Sequence, residues 1–272
     1  MYKKNKLKII LLVLMVFMLS GCFSLNSKVP DSVKSLFTFI DENNNDKTRL
    51  DYKINIDIDI LLKDEDLGFD ERATYKDNTV ASYKNKKGKE EKNISYKSRL
   101  MQNTINNTKL YDAKNLYEYT KNKGTNKYTK IQNYYVSNPV ETFKTLKTTD
   151  LLKQLKFKEY DGKDKKAEKG YLMYGNVSSS DVEKLWSKIS LDGMNYWSTF
   201  FGTYENTEIP LKIYVNEDGH ITKITMNLKN VLEKFAENNY TGYKLEIKKN
   251  KFEINFDNSK NNNDLNIKFP KL

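Results

Sequence analysis

The chain has 272 residues, a formal charge of +11, one cysteine and one histidine. That count excludes an internal disulfide framework and any metal site built on several His or Cys ligands. Hydrophobic residues make up only 38%, but aromatics reach 12% with 19 Tyr, and their rings are expected to supply the buried area that Leu and Val do not. The wealth of Lys and Asn reads as the coding bias of an AT-rich genome rather than as chemistry.

The chain opens with Lys3, Lys4, Lys6 and Lys8, followed by an 11-residue apolar run from Ile9 to Leu19. A basic start, an apolar run and small residues are the order of a secretory leader. The run falls short of the roughly 17–25 residues that span a bilayer. Leu19, Ser20, Gly21 and Cys22 then resemble the lipobox of bacterial lipoproteins, Leu-(Ala/Ser)-(Gly/Ala)-Cys. The resemblance implies cleavage before Cys22 and a diacylglyceryl thioether on its sulfur, so that the membrane is the first partner. Each buried CH₂ contributes about 0.8 kcal/mol, and two acyl chains anchor stably where one does not. The expected organisation is a signal peptide at 1–21, a lipidated tether at 22–31 and a single domain at 32–272. Loss of the four leader lysines leaves about +7, which suits an anionic envelope surface. An exported, lipid-held chain has no nucleic-acid partner, and a monomer is expected.

Within the domain, Val33, Leu36, Phe37 and Ile40 form one apolar stripe at helical spacing behind a capping Asp31 or Ser32. From Arg49 to Leu62 the pattern alternates: Leu50, Tyr52, Ile54, Ile56, Ile58 and Ile60 against Asp51, Lys53, Asn55, Asp57 and Asp59. This is a strand with one apolar and one wet face, the mark of an antiparallel sheet. Short strands with frequent turn signals follow. Phe69–Lys76 is expected to turn at Asp77-Asn78 into Thr79–Lys84, then come Asn93–Met101, Thr104–Tyr111, Asn115–Lys121 and Lys127–Tyr135. Helices are predicted at roughly 139–153, opened by Asn138-Pro139, and 179–190, with Val182, Leu185, Trp186 and Ile189 as its stripe. Between them lies a strand pair, Gln154–Tyr160 and Lys169–Val177. Leu191–Glu208 reads as irregular and aromatic. Ile209–Val215 and His220–Leu228 flank the tight turn Asn216-Glu217-Asp218-Gly219. Val231–Asn239 reads as a short helix or a loop. Tyr243–Phe256 is a strand pair or one bent strand, and Leu265–Phe269 a candidate edge.

No catalytic constellation emerges. His220 flanks a turn and has no nucleophile elbow near it, and no phosphate loop or dinucleotide fingerprint occurs. The acidic stretch Asp57, Asp59, Asp64, Glu65, Asp66, Asp70 and Glu71 matches no calcium loop. No cofactor or metal is expected. The residues point instead to binding. Helices laid on an apolar sheet face leave a cavity where they do not fill it. Tyr196, Trp197, Phe200 and Phe201 are the candidate ligand contacts, with plain core packing as their other reading.

The order of elements resembles the LolA/LprG-like lipoprotein fold: an N-terminal helix, a long alternating first strand, a meander, inserted helices and the late hairpin Tyr214 to Ile224. That resemblance implies a β-rich α+β domain. In it a strongly curved antiparallel sheet forms an open half-barrel with helices covering its concave side. It also implies an apolar or amphipathic ligand in the cavity, a lipid or lipid-linked envelope component, for carriage or sensing. Two alternatives compete: a structural or adhesive envelope lipoprotein with a solid core that contacts wall polymer or another protein, and an enzyme that uses carboxylates alone, since any two Asp or Glu can meet in space.

Overall fold

The computed structural model describes residues 30–44, 49–64, 66–86, 89–100, 103–112, 115–122, 124–125, 127–132, 151–163, 167–189, 195–257 and 269–271. The chain divides into two units, Met1–Ser32 and Val33–Leu272. The leader, Cys22 and most of the tether lie outside the described residues. So do the helix expected at 139–153, apart from its last turn, and all but Phe269 of the expected C-terminal edge.

The second unit is β-rich. Its strands are β1 (Arg49–Asp64), β2 (Phe69–Lys86), β3 (Lys89–Leu100), β4 (Asn103–Asp112), β5 (Tyr117–Asn122), β6 (Thr129–Gln132), β7 (Lys156–Tyr160), β8 (Gly170–Ser178), β9 (Glu208–Asn216), β10 (Ile221–Met226) and β11 (Tyr243–Asp257). They form one antiparallel sheet of 11 strands in the order β6-β5-β4-β3-β2-β1-β11-β10-β9-β8-β7. Two meanders, β1 to β6 and β7 to β11, thus meet where the first strand pairs with the last. The sheet is not closed into a barrel, because β6 and β7 stand at opposite edges.

The helices are α1 (Val33–Asn44), α2 (Leu151–Gln154), α3 (Ser179–Ile189), α4 (Asn195–Thr203) and α5 (Lys229–Asn239). One apolar cluster joins them to the sheet. Leu36, Phe37 and Ile40 come from α1, Val182, Leu185 and Trp186 from α3, and Val231 and Leu232 from α5. From the sheet come Ile54, Ile56, Ile58 and Ile60 of β1, Ile209, Leu211 and Ile213 of β9, and Phe252, Ile254 and Phe256 of β11. The alternation in β1 therefore sorts its residues as the sequence predicts. Each such side chain contributes about 1.5–3 kcal/mol on burial. Phe252 is the hub: its ring lies 5.0 Å from Trp186, 5.5 Å from Trp197 and 6.1 Å from Phe201. A second, smaller cluster of Leu110 and Tyr119, with Tyr117, Tyr128 and Phe269 against it, sits at the β4–β6 end.

The opposite face of the central strands is polar and ion-paired, with Asp51 and Asp59 buried in it. Arg72 clasps Asp59 with two bonds of 2.9 and 2.6 Å. Lys249 reaches Asp57 at 3.1 Å, and Lys223 reaches Glu253 at 2.9 Å. Hydrogen bonding from Arg72, together with its charge, holds the Asp59 carboxyl below the usual range. The acidic stretch noted in the sequence is thus partly an ion-paired strand face. Asp64 caps its own turn, accepting the N–H groups of Asp66 and Leu67 at 3.0 and 2.9 Å.

Two expectations are corrected, and one left open between a strand pair and a single bent strand is settled. Asp77-Asn78 is not a turn. β2 runs unbroken for 18 residues, and Asp77, 1% exposed, is held inside by Thr79 Oγ1 at 2.8 Å and Tyr75 Oη at 3.4 Å. Leu191–Glu208 is not irregular throughout, since Asn195–Thr203 is helical. Trp197, Phe200, Phe201 and Tyr204 share the i, i+3, i+4, i+7 face that buries all four. Tyr243–Asp257 is one long strand, bent where the register with β1 shifts between Asp59 and Ile60. The turn at Asn216 to Gly219 is as expected. Gly219 has φ 79°, its N–H meets Asn216 O at 3.0 Å, and the His220 N–H meets Asn216 Oδ1 at 2.9 Å.

Candidate functional site

α3 begins where β8 ends, and its cap fixes the neighbouring elements. Ser178 Oγ accepts the Asp181 N–H at 3.2 Å and donates to Asp181 Oδ2 at 2.9 Å. Gln154 of α2 donates to the same carboxylate at 2.8 Å and accepts the Ser178 N–H at 3.0 Å. Burial works against the Asp181 charge, but bonds from Gln154, Ser178 and Lys184 outweigh it and keep the carboxyl below its usual range. Ser179 Oγ then donates to Phe201 O at 2.7 Å, which ties α3 to α4. Asn239 Nδ2 donates to Tyr204 Oη at 3.1 Å, which ties the turn after α4 to the end of α5.

Between α4, α5 and the sheet the packing is incomplete. A pocket of about 70 Å³ remains there. Its floor is Ile58 and Ile60 of β1 with Ala73, Thr74 and Tyr75 of β2. Its walls are Trp197 and Phe200 of α4, Leu232 and Phe235 of α5, and Tyr240 just beyond α5. The rings stand steeply to one another. Tyr75 meets Trp197 at 5.0 Å and 89°, and Trp197 meets Phe200 at 5.3 Å and 80°. Phe200 to Phe235, Phe235 to Tyr240 and Tyr240 to Tyr243 continue outward at 5.9, 5.7 and 5.8 Å.

Among the described residues, no lysine, arginine, histidine or carboxylate lines this pocket. Charge reaches it through two tyrosines. Asp77 accepts from Tyr75 Oη, and burial pushes the Asp77 carboxyl up to about 6 against the pull of its Thr79 and Tyr75 bonds. Burial raises the Tyr240 phenol above its ordinary range, and Glu71 and Tyr243 add to the rise. The pocket is small. Drug-sized ligands need about 300–1,000 Å³, and an engineered cavity of about 150 Å³ holds benzene. Its volume corresponds to the end of an apolar chain or a compact group of a few heavy atoms.

Of the residues the sequence proposed, Trp197 and Phe200 line the pocket. Phe201, 0% exposed, does not; it packs on Trp197 and Phe252 as core. Tyr196 lies on α4 with only its backbone described, and Cys22 lies outside the described residues. Sequence reasoning misses Leu232, Phe235 and Tyr240. Val231, Leu232, Phe235 and Ala236 carry the helical spacing that places α5, but nothing local ties them to Ile58 or Tyr75, more than 150 residues earlier. No family model matches the chain, and no curated protein sequence matches it.

Proposed function

We propose that this chain is a bacterial lipoprotein, anchored through Cys22 to the extracytoplasmic face of the cell membrane, and that it binds rather than catalyses. Its sheet is an open half-barrel of the LolA/LprG-like kind, with the helices on its concave side. The ligand is an apolar or amphipathic molecule, a lipid or a lipid-linked envelope component, taken up for carriage or sensing. The observation that carries this reading is the apolar, aromatic-walled pocket between β1–β2 and α4–α5. The lipobox residues Leu19 to Cys22 carry the location. At about 70 Å³ the pocket takes only one end of such a molecule. The remainder lies along the outward run of Phe235, Tyr240 and Tyr243.

The pocket's size also favours a second reading, a structural or adhesive envelope protein with an essentially solid core. Trp186, Phe201 and Phe252 already fill the space over the centre of the sheet. Native mass spectrometry of the protein lacking residues 1–22, purified from bacteria, separates the two. A co-purifying lipid, displaced by a fluorescent fatty acyl probe, supports carriage. A clean apo mass with no probe bound supports the solid-core reading.

A further inference from the structure

From the rings around the pocket we infer a more specific ligand group: an alkylated ammonium, such as a trimethylammonium, held by cation–π contact. This rests on the pocket being a binding site at all. Five of its ten lining residues are aromatic: Tyr75, Trp197, Phe200, Phe235 and Tyr240. Tyr75 and Phe200 each stand nearly perpendicular to Trp197. A cluster of steeply angled rings can offer π-faces to one small group from several sides at once. Cations over aromatic faces are attracted by the ring quadrupole, most strongly over Trp and when water is excluded. A methylated ammonium is the cation best suited here, because the lining has few groups to hydrogen-bond an N–H donor. A bare ammonium would be left unsatisfied.

Size and field agree. About 70 Å³ is roughly half of a cavity that holds benzene, room for part of the methyl shell of an ammonium with the remainder at the mouth. The charged groups linked to the pocket's rings are negative. Asp77 accepts the Tyr75 hydroxyl, which makes that ring more electron-rich, and Glu71 acts on Tyr240 at the mouth. Arg72, which precedes the lining residue Ala73 on β2, is taken up by Asp59. A plain hydrocarbon site would need neither this density of rings nor acidic neighbours.

Isothermal titration of the full chain in phosphatidylglycerol nanodiscs tests this. The probes are choline and its uncharged carbon isostere, in which a quaternary carbon replaces nitrogen. Choline is expected to bind at least about tenfold tighter than the isostere. Phe235→Leu and Tyr240→Leu, at half-buried positions at the mouth, should each weaken choline several-fold and leave the isostere unchanged. Short-chain phosphatidylcholine below its micellar concentration tells the sources apart. Tighter binding than choline marks a lipid headgroup, and weaker binding a free alkylammonium. An isostere that binds as tightly as choline overturns the inference while the apolar pocket stands. Binding of a fluorescent acyl probe, when neither choline nor the isostere binds, overturns it in the same way. If none of the three binds, the pocket reading falls with it.

Discussion

Replacing Asp77 with Asn should change the pH dependence of stability more than any other single substitution in β2. Asp77 is 1% exposed, and its carboxyl is raised by burial from 3.8 to about 6. Among the described residues, the titratable group facing it is the Tyr75 hydroxyl; the cross-strand neighbour on β1 is Ile56. A folded-state value above the unfolded one means that the native protein binds the extra proton. The contribution of Asp77 is therefore fully present below about pH 4 and is lost as pH rises through about 6. A rise of about two units corresponds to on the order of 3 kcal/mol. Asn keeps one oxygen to accept from Thr79, its Nδ2 can donate to the Tyr75 hydroxyl oxygen in place of the second carboxylate oxygen, and it has no charge to bury. The stability difference between Asp77→Asn and wild type should accordingly grow by on the order of 3 kcal/mol in favour of the variant between pH 4 and pH 8. Urea denaturation at a series of pH values, followed by far-UV circular dichroism, measures it. Taking the difference cancels the carboxylates whose values are lowered, such as Asp59 and Glu253. A difference that stays flat across this range would refute the idea that burial raises the Asp77 carboxyl.

Other outcomes follow from the same reasoning. Cys22→Ser should hold to the membrane fraction less tightly than wild type, read by fractionation and immunoblot; unchanged membrane retention counts against the lipobox. Gly175→Ala places a Cβ 2.2 Å from Gln154 O, so α2 must shift from β8, and thermal unfolding should show a loss of about 1–3 kcal/mol. Ile56→Ala, at a site 2% exposed in the middle of β1, should cost about 2–5 kcal/mol in urea denaturation. Trp197→Ala should cost about 3–5 kcal/mol, because Trp197 is core as well as pocket wall, whereas Phe235→Leu should leave stability within about 1.5 kcal/mol of wild type.

Elements with one dominant pattern can be read from the sequence, and those settled by distant contacts cannot. β1 is legible because Ile54 to Ile60 alternate with polar and acidic residues over a full strand, and the pleat turns alternation directly into two faces. The hairpin at Asn216 to Gly219 is legible because Gly219 takes a positive φ that other residues rarely adopt. Asp77-Asn78 misleads because those residues favour turns when exposed. Thr79 and Tyr75 on the same strand supply the partners that let Asp77 remain inside β2. In α4, Ser198, Thr199 and Gly202 suggest a loop, while Trp197, Phe200, Phe201 and Tyr204 hold the helical spacing. Burial of that face against Phe252 decides for the helix. The pocket is half legible: aromatic density marks its α4 wall, but Tyr75, Phe235 and Tyr240 join it only through the sheet's topology. Which aromatic of α4 becomes wall and which becomes core depends on where α5 stops, and no local pattern records that.

The most direct test of the central claim, that the space beside Trp197 receives an apolar group, is quenching of Trp197 by a fatty acid brominated at its terminal end. The chain has two tryptophans, so the Trp186→Phe variant leaves Trp197 as the single reporter. Bromine quenches on contact, and Trp197 lines the pocket at 2% exposure. Saturable quenching by the brominated acid, reversed by the unbrominated one, is the predicted result. Binding without quenching would place the ligand elsewhere, and no binding at all would leave the pocket as a packing defect of a solid core.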